Sequence, residues 1–259
     1  MSDKSEIEKA LRRESWISIY DLVSTKPVGR SKNNRPDKAE SNMLQPDKAG
    51  APAGLSANAR ILAYDITTYL DSQFSERQER LNLSARELEN ARAELISHRL
   101  IKDLWLGKSL LLAPVPALYA AMGLQSPYKR NVSDIHSFLV LLAEKLIQPN
   151  PLVKYTRREV PLDDSNFRVD LICWLKSGQR LAYEIVNHSV ANVSALAARL
   201  EGKGFSQVIF LATDYNIKQR VWATIKNAGF DPDFLSTTRY QLFGMLLRQK
   251  KQMMLKEMR

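Results

Sequence analysis

Two acidic residues interrupt segments that are otherwise typical of buried β-strands. Asp170 lies within the apolar segment 167–175 and Glu184 within 180–187, and the polar stretch between them predicts a turn. An unpaired carboxylate inside a strand is energetically unfavourable, so each acid needs a partner. Carboxylates also bind hard cations such as Mg²⁺, which activates water and neutralises the charge of a phosphate. The pair therefore predicts either a metal site or a structural role through hydrogen bonds.

The segments around these acids alternate between helix and strand patterns. The predicted elements, in chain order, are a helix from Asn131 or Ser133 to Ile147, strands at 152–160, 167–175 and 180–187, a helix at 191–203, an apolar strand at 208–211, and helices at 216–228 and 238–258. This pattern places Asp170 and Glu184 on neighbouring strands. Because side chains alternate across a strand, Val186 is expected on the same face as Glu184.

The order helix, three strands, helix, strand resembles the core of the PD-(D/E)xK superfamily of restriction-endonuclease-like proteins. The resemblance implies that Asp170 on the second core strand and Glu184 on the third would bind a divalent cation. It also implies an accessory acid on the preceding helix, a position that Glu144 matches. Residues 127–259 are therefore predicted to form a nuclease-like α/β domain with a basic C-terminal helix.

The nuclease pattern is incomplete at one position. The family carries a Lys two residues after the Glu, but this chain has Val186, which can neither carry charge nor orient water. Some relatives recover the basic group from the next helix, which makes Arg199 the first candidate and Lys203 the second. Asn187 and His188 directly follow the motif and are candidates to face the same cleft. Catalysis is thus predicted to be lost or weakened. The alternative is an active Mg²⁺-dependent endonuclease that uses Asp170, Glu184, Glu144 and Arg199.

Residues 56–126 are predicted to contain three helices followed by a hairpin. Ser56 can cap the first helix, and Ser75 opens a short second one. Ser84 and Glu87 form a capping box at the start of the third. The hairpin strands are predicted at 101–106 and 110–113. This order resembles the winged helix-turn-helix family, by its pattern rather than by a signature motif.

The winged-helix resemblance implies that the helix predicted over 84–99 would enter a DNA groove. Its outward face would present Arg86 and Asn90, while Lys102 and Lys108 would lie near the wing. Phosphate attraction supplies much of the affinity for nucleic acid, yet the module has eight basic and eight acidic residues. Dimerisation or binding of a protein partner is therefore the alternative role for this module.

The net charge of +10 is concentrated outside that module. A linker predicted over 24–55 carries +3, and the last 24 residues carry +5. Concentrated positive charge indicates a polyanionic partner, usually nucleic acid. Arg248, Lys250 and Lys251 are the predicted contacts in the C-terminal tail, and a solvated basic tail without a partner is the alternative.

The N-terminal region is predicted to be a helix over 1–23, joined to the remaining chain by a flexible linker over 24–55. The linker contains four prolines and has no apolar period. Trp16 and Tyr20 lie one turn apart on the predicted helix, and aromatic anchors of this kind dominate interfaces. They predict docking of the helix on another protein, with packing onto this chain as the alternative.

Several classes of protein are disfavoured. The first residues are charged, and no segment has the ~20 apolar residues that span a bilayer, so neither export nor membrane insertion is expected. The single cysteine, Cys173, excludes an internal disulfide and a cysteine-rich zinc site, and indicates a reducing, cytoplasmic setting. His98 and His136 lack zinc-site spacing. P-loop, dinucleotide-binding and serine-nucleophile motifs are absent from the sequence.

A winged helix followed by a nuclease-like domain resembles accessory proteins of mobile elements, such as the replication-relaxation family. The resemblance implies a DNA-binding accessory protein in transposition, plasmid mobilisation, replication or defence, with an inactive nuclease-like domain and no cofactor. Its expected partners are DNA and a larger machine, namely a transposase, a relaxase or a DNA-translocating ATPase, and homodimerisation is left open. The alternatives are a Mg²⁺-dependent DNA endonuclease and a protein-interaction adaptor without DNA contact.

Overall fold

The structure is a computed structural model that describes residues 54–128, 132–162 and 167–257, with side chains up to 252. The predicted helix over 1–23, its residues Trp16 and Tyr20, and nearly all of the linker over 24–55 lie outside the described residues. The described chain is a mixed α+β protein. It contains helices, a two-stranded sheet and a five-stranded mixed sheet, in agreement with the mixed fold class that the sequence predicts.

The first part of the described chain contains the three expected helices and the hairpin. Its elements are α1 (Ala57–Thr68), α2 (Phe74–Leu81), α3 (Ala85–Ser97), β1 (Ile101–Leu106), β2 (Ser109–Pro114) and α4 (Pro116–Ala121). The predicted capping box is confirmed, because the backbone N–H of Glu87 donates to Ser84 Oγ and the N–H of Ser84 donates to Glu87 Oε2. The prediction that Ser75 opens the second helix was wrong. The N-cap is Gln73, whose N–H donates to Glu76 Oε2 at 2.9 Å.

The second part alternates helices with the strands of the larger sheet. Its elements are α5 (Asp134–Ile147), β3 (Val153–Pro161), β4 (Arg168–Leu175), β5 (Arg180–Val186), α6 (Val193–Leu200), β6 (Gln207–Ala212), α7 (Tyr215–Lys226), α8 (Pro232–Thr237), β7 (Thr238–Leu242) and α9 (Phe243–Glu257). The sheet order is β3-β4-β5-β6-β7. The first three strands are antiparallel, and β6 and β7 continue the sheet in parallel.

The C-terminal segment differs from the prediction. A single helix over 238–258 was wrong for its first five residues, because 238–242 form strand β7 beside β6. Tyr240 is buried beside Phe210, with ring centroids 6.3 Å apart. Burial of this aromatic residue against the sheet outweighs the helical pattern of the flanking residues.

The large sheet is buried on both faces. Helices α6 and α7 cover one face, through residues such as Val193, Ala197 and Val221. Helices α5 and α9 cover the other, through residues such as Phe138 and Phe243, and the β1–β2 hairpin joins this second cluster. The predicted boundary between residues 126 and 127 is therefore crossed by a shared hydrophobic core.

Candidate functional site

The ladder between β4 and β5 ends just before the two acids. Its last matched pair is Leu171 and Tyr183, so Asp170 and Glu184 occupy the next position on each strand. The backbone N–H of Ile185 donates to Asp170 Oδ2 at 2.8 Å. The Asp170 carboxylate thus accepts a hydrogen bond from a backbone N–H that would otherwise donate to a carbonyl oxygen of a neighbouring strand. The structure brings the two predicted acids together where the ladder ends.

A histidine from α5 holds the second oxygen of Asp170. His136 Nε2 lies 3.0 Å from Asp170 Oδ1, although the residues are 34 positions apart in sequence. Burial alone would lower the pKa of His136. The hydrogen bond and negative charge of Asp170, with a contribution from Glu159, outweigh burial and raise that pKa above its ordinary value. The contact with Asp170 thus stabilises the protonated form of His136.

Glu184 is buried, with 3% of its surface exposed. Burial raises the pKa of its carboxyl group well above the usual value, and repulsion from Asp170 raises it further. Among the described residues, Glu184 Oε1 has no hydrogen-bond partner. Burial and the neighbouring Asp170 carboxyl group thus both oppose ionisation of Glu184.

Glu144 and Arg199, the accessory acid and the basic residue that the nuclease resemblance implies, have partners other than Asp170 and Glu184. Thr156 Oγ1 donates to Glu144 Oε1 at 3.1 Å, and Arg158 Nε lies 2.8 Å from Glu144 Oε2. Both partners of Glu144 are on β3. The guanidinium carbon of Arg199 lies 5.1 Å from the ring centroid of Phe167, as in a cation–π contact. In the described part of the chain, neither helper forms an ion pair or a hydrogen bond with the two acids.

The donor set fits a divalent cation poorly. Both oxygens of Asp170 already take part in hydrogen bonds, with His136 and with the backbone of Ile185, so neither is free to bind a cation such as Mg²⁺ in this arrangement. Across residues 54–128, 132–162 and 167–257, no group of three or more His, Cys, Asp or Glu side chains could hold a metal ion. No catalytic step through a metal follows from this arrangement.

A cavity of about 250 Å³ adjoins His136 at the end of β5. Asn187 and His188 line it, together with Ser133 and Asn192 from the ends of two helices. Val186 also lines the cavity. A branched apolar side chain thus occupies the place where the nuclease pattern would have its lysine.

Helix α3 exposes the face that the sequence predicts. Leu88, Ala91 and Leu95 are buried in the core that α3 shares with α1. Arg86 and Asn90, one turn apart, are exposed. Within the described residues neither side chain has a hydrogen bond or an ion pair, so their donors are available to a ligand.

The two lysines predicted near the wing have different surroundings. Lys108 is exposed in the turn between β1 and β2. Lys102 Nζ lies 3.5 Å from Asp134 Oδ2, at the start of α5. Arg92 on α3 forms an ion pair with Asp103 on β1, with Arg92 Nε 2.8 Å from Asp103 Oδ1. This pair fixes the hairpin against α3, and Lys108 is the lysine that projects from its tip.

Two of the basic residues of the tail lie against the α1–α2 region. Lys250 forms an ion pair with Asp71, and burial lowers the pKa of Lys250. Lys251 is 63% exposed and lies 4.0 Å from Glu76. Arg248 is exposed, and its Nε donates to the carbonyl of Gly244. Part of the tail charge is thus used to hold α9 against the α1–α2 region.

Two residues of interest were not found from the sequence. The contact between His136 and Asp170 could not be predicted from the sequence, which shows only that His136 lies one turn before the apolar Leu139 and Val140. Trp105 was not singled out, yet it is 61% exposed. It lies two residues after Asp103 on the same face of β1, next to α3.

The comparisons with protein-family models, curated proteins and solved structures found no match to this chain. Among the described residues, the helices are all too short or too polar to cross a membrane.

Proposed function

We propose that this chain is a DNA-binding accessory protein that contacts duplex DNA through α3 and the β1–β2 hairpin, as a winged helix does. The observation that carries the proposal is the exposed pair Arg86 and Asn90 on α3, whose side chains have no partner in the described chain. Arginine and asparagine are the side chains that form bidentate contacts with guanine and adenine. Lys108 and Trp105 on the hairpin extend the same surface.

The arrangement of the two acids supports a nuclease-like domain that does not cut DNA. Asp170 is engaged by His136 and by the backbone of Ile185. Glu184 is buried, and burial raises the pKa of its carboxyl group. A carboxyl pair used in this way joins α5, β4 and β5, and its chemistry does not require a metal.

The proposed process is transposition, plasmid mobilisation, replication or defence, in which a transposase, a relaxase or a DNA-translocating ATPase on another chain supplies the enzyme. The alternative function, a Mg²⁺-dependent endonuclease, is favoured by one observation. Glu184 adjoins Asp170 and has an oxygen without a partner among the described residues. At high concentration, a divalent cation would bind through that oxygen.

The test of DNA contact is binding of a fluorescently labelled duplex, measured by anisotropy at several salt concentrations. We expect Arg86→Ala to weaken binding about 5- to 150-fold and Asn90→Ala to weaken it to a similar extent, because each removes a contact worth about 1–3 kcal/mol. The matched control is Arg60→Ala, which removes the same charge from the exposed side of α1. Equal losses for Arg86→Ala and Arg60→Ala would contradict the proposed interface.

A further inference from the structure

A row of aromatic and cationic side chains crosses three strands at the end of the sheet that lies away from the acid pair. Tyr155 on β3 is paired with Trp174 on β4, and Trp174 is paired with Arg180 on β5. The rings of Tyr155 and Trp174 are stacked, with centroids 4.6 Å apart and planes 15° apart. The guanidinium carbon of Arg180 lies 5.2 Å from the ring centroid of Phe205. These four residues are called the aromatic row below.

One end of the aromatic row is open. In the described sheet β3 is an edge strand, so the face of the Tyr155 ring that points away from Trp174 has no neighbouring strand. Tyr155 is 41% exposed. A flat aromatic group could therefore extend the stack by one more ring without moving either residue.

The segments that contain the aromatic row are basic. Besides Arg158, the segments 153–158, 174–182 and 202–206 contain five Lys and Arg residues and no Asp or Glu. Thr156 and Arg158 contact Glu144 on the α5 side of the sheet, so Tyr155 and Arg157 lie on the opposite side. Lys154, Arg157 and Lys176 are exposed near the row.

We propose that the aromatic row is a binding site for single-stranded nucleic acid, separate from the duplex-binding surface proposed for α3. An unpaired base would stack on the open face of Tyr155, and Arg157 with its basic neighbours would contact the phosphates. A stacked aromatic ring beside cations is the usual way in which proteins hold single strands without reading their sequence. A duplex cannot use the site in this way, because its bases are already stacked on each other.

A protein partner fits this edge less well. Lysine and arginine side chains on an edge strand disfavour the addition of another strand. A purely structural role for the Tyr155–Trp174 pair predicts only the modest stabilisation that cross-strand aromatic pairs provide. It predicts no effect on nucleic-acid affinity.

The test is anisotropy of a labelled oligothymidylate of about 15 nucleotides, a length that one such site can cover, with the full chain. Tyr155→Ala should weaken binding about 5- to 150-fold, the effect of removing one stacked base contact. Tyr155→Phe retains the ring and should stay within about threefold of the unmodified protein. The matched control is Tyr215→Ala, which removes an equally exposed tyrosine at the start of α7 and should have no effect.

The same measurement with an oligouridylate of equal length tests RNA. If the oligouridylate binds more tightly than the oligothymidylate, with the same dependence on Tyr155, RNA is the ligand. Duplex affinity should be unchanged by Tyr155→Ala, which separates this site from the one that depends on Arg86. Three results would overturn the proposal: no binding of either single strand, equal losses in Tyr155→Ala and Tyr215→Ala, or an equal loss for duplex and single strand.

Discussion

At the scale of single residues, the roles of the two acids differ because their surroundings differ. Asp170 accepts hydrogen bonds from His136 and from the backbone N–H of Ile185. Glu184 lies one strand away in a buried position, where repulsion from Asp170 adds to the effect of burial. The sequence could predict that both residues needed partners. It could not predict that His136 provides one of them, because that contact joins residues 34 positions apart.

The raised pKa of Glu184 predicts a dependence of stability on pH. The unfolded chain loses this proton near the ordinary value of 4.5, and the folded chain keeps it to higher pH. Stability from this group is therefore complete below pH 4.5 and is lost as pH rises toward the folded-state pKa. Glu184→Gln removes the titrating group, so it should flatten this part of the dependence of stability on pH and raise the free energy of unfolding at pH 7.

Denaturant unfolding between pH 4 and pH 8 measures this effect. Glu144→Gln is the matched control. It removes a partly exposed ion pair with Arg158, so it should lower stability by about 0–1 kcal/mol. In Glu184→Gln, the free energy of unfolding should still fall with pH above pH 6.5. This remaining dependence should come from His136, whose folded-state pKa is raised. Loss of stability in Glu184→Gln at pH 7 would show that the ionised carboxylate is the form the fold requires.

At the scale of elements, α1 and α2 are joined by a buried charge cluster. Asp65 accepts from Arg77, which is 0% exposed, and Arg80 Nε lies 2.6 Å from Asp65 Oδ1. Arg77 Nη2 also donates to the carbonyl of Tyr69 at 2.7 Å. The sequence predicted both helices, the first from its apolar spacing and the second from Ser75. It did not predict this cluster, because Asp65 and Arg77 look like ordinary exposed residues in the sequence.

Removal of Asp65 should unfold this region preferentially. Asp65→Ala leaves the Arg77 guanidinium buried without its carboxylate, so we expect the free energy of unfolding to fall by about 3–5 kcal/mol. Asp103→Ala breaks the more exposed pair with Arg92 and should lower it by about 0–1 kcal/mol. Urea unfolding of the two variants under identical conditions makes the comparison. Similar losses would mean that the Asp65 cluster is not effectively buried.

At the scale of the whole molecule, the sequence predicted the order of elements better than their packing. Apolar alternation and capping residues located α3, the hairpin and β3 to β6. Strand β7 was missed because Thr238, Arg239 and Gln241 obscure its pattern, and only parallel pairing with β6 makes it a strand. The shared core was also missed. A Cβ at Gly244 of α9 would lie 3.4 Å from the backbone of Leu106 in the hairpin, and contacts at such sequence separation leave no local signal.

We propose that this chain binds DNA without cutting it, and a plasmid-nicking assay measures both properties in one sample. Supercoiled plasmid is incubated with saturating protein, with Mg²⁺ or with chelator, and binding is verified in the same samples by gel shift. We predict that the plasmid shifts but stays supercoiled with Mg²⁺, with at most trace nicking with Mn²⁺, and that Asp170→Asn behaves identically. Mg²⁺-dependent nicking by the unmodified protein that disappears in Asp170→Asn would contradict the account.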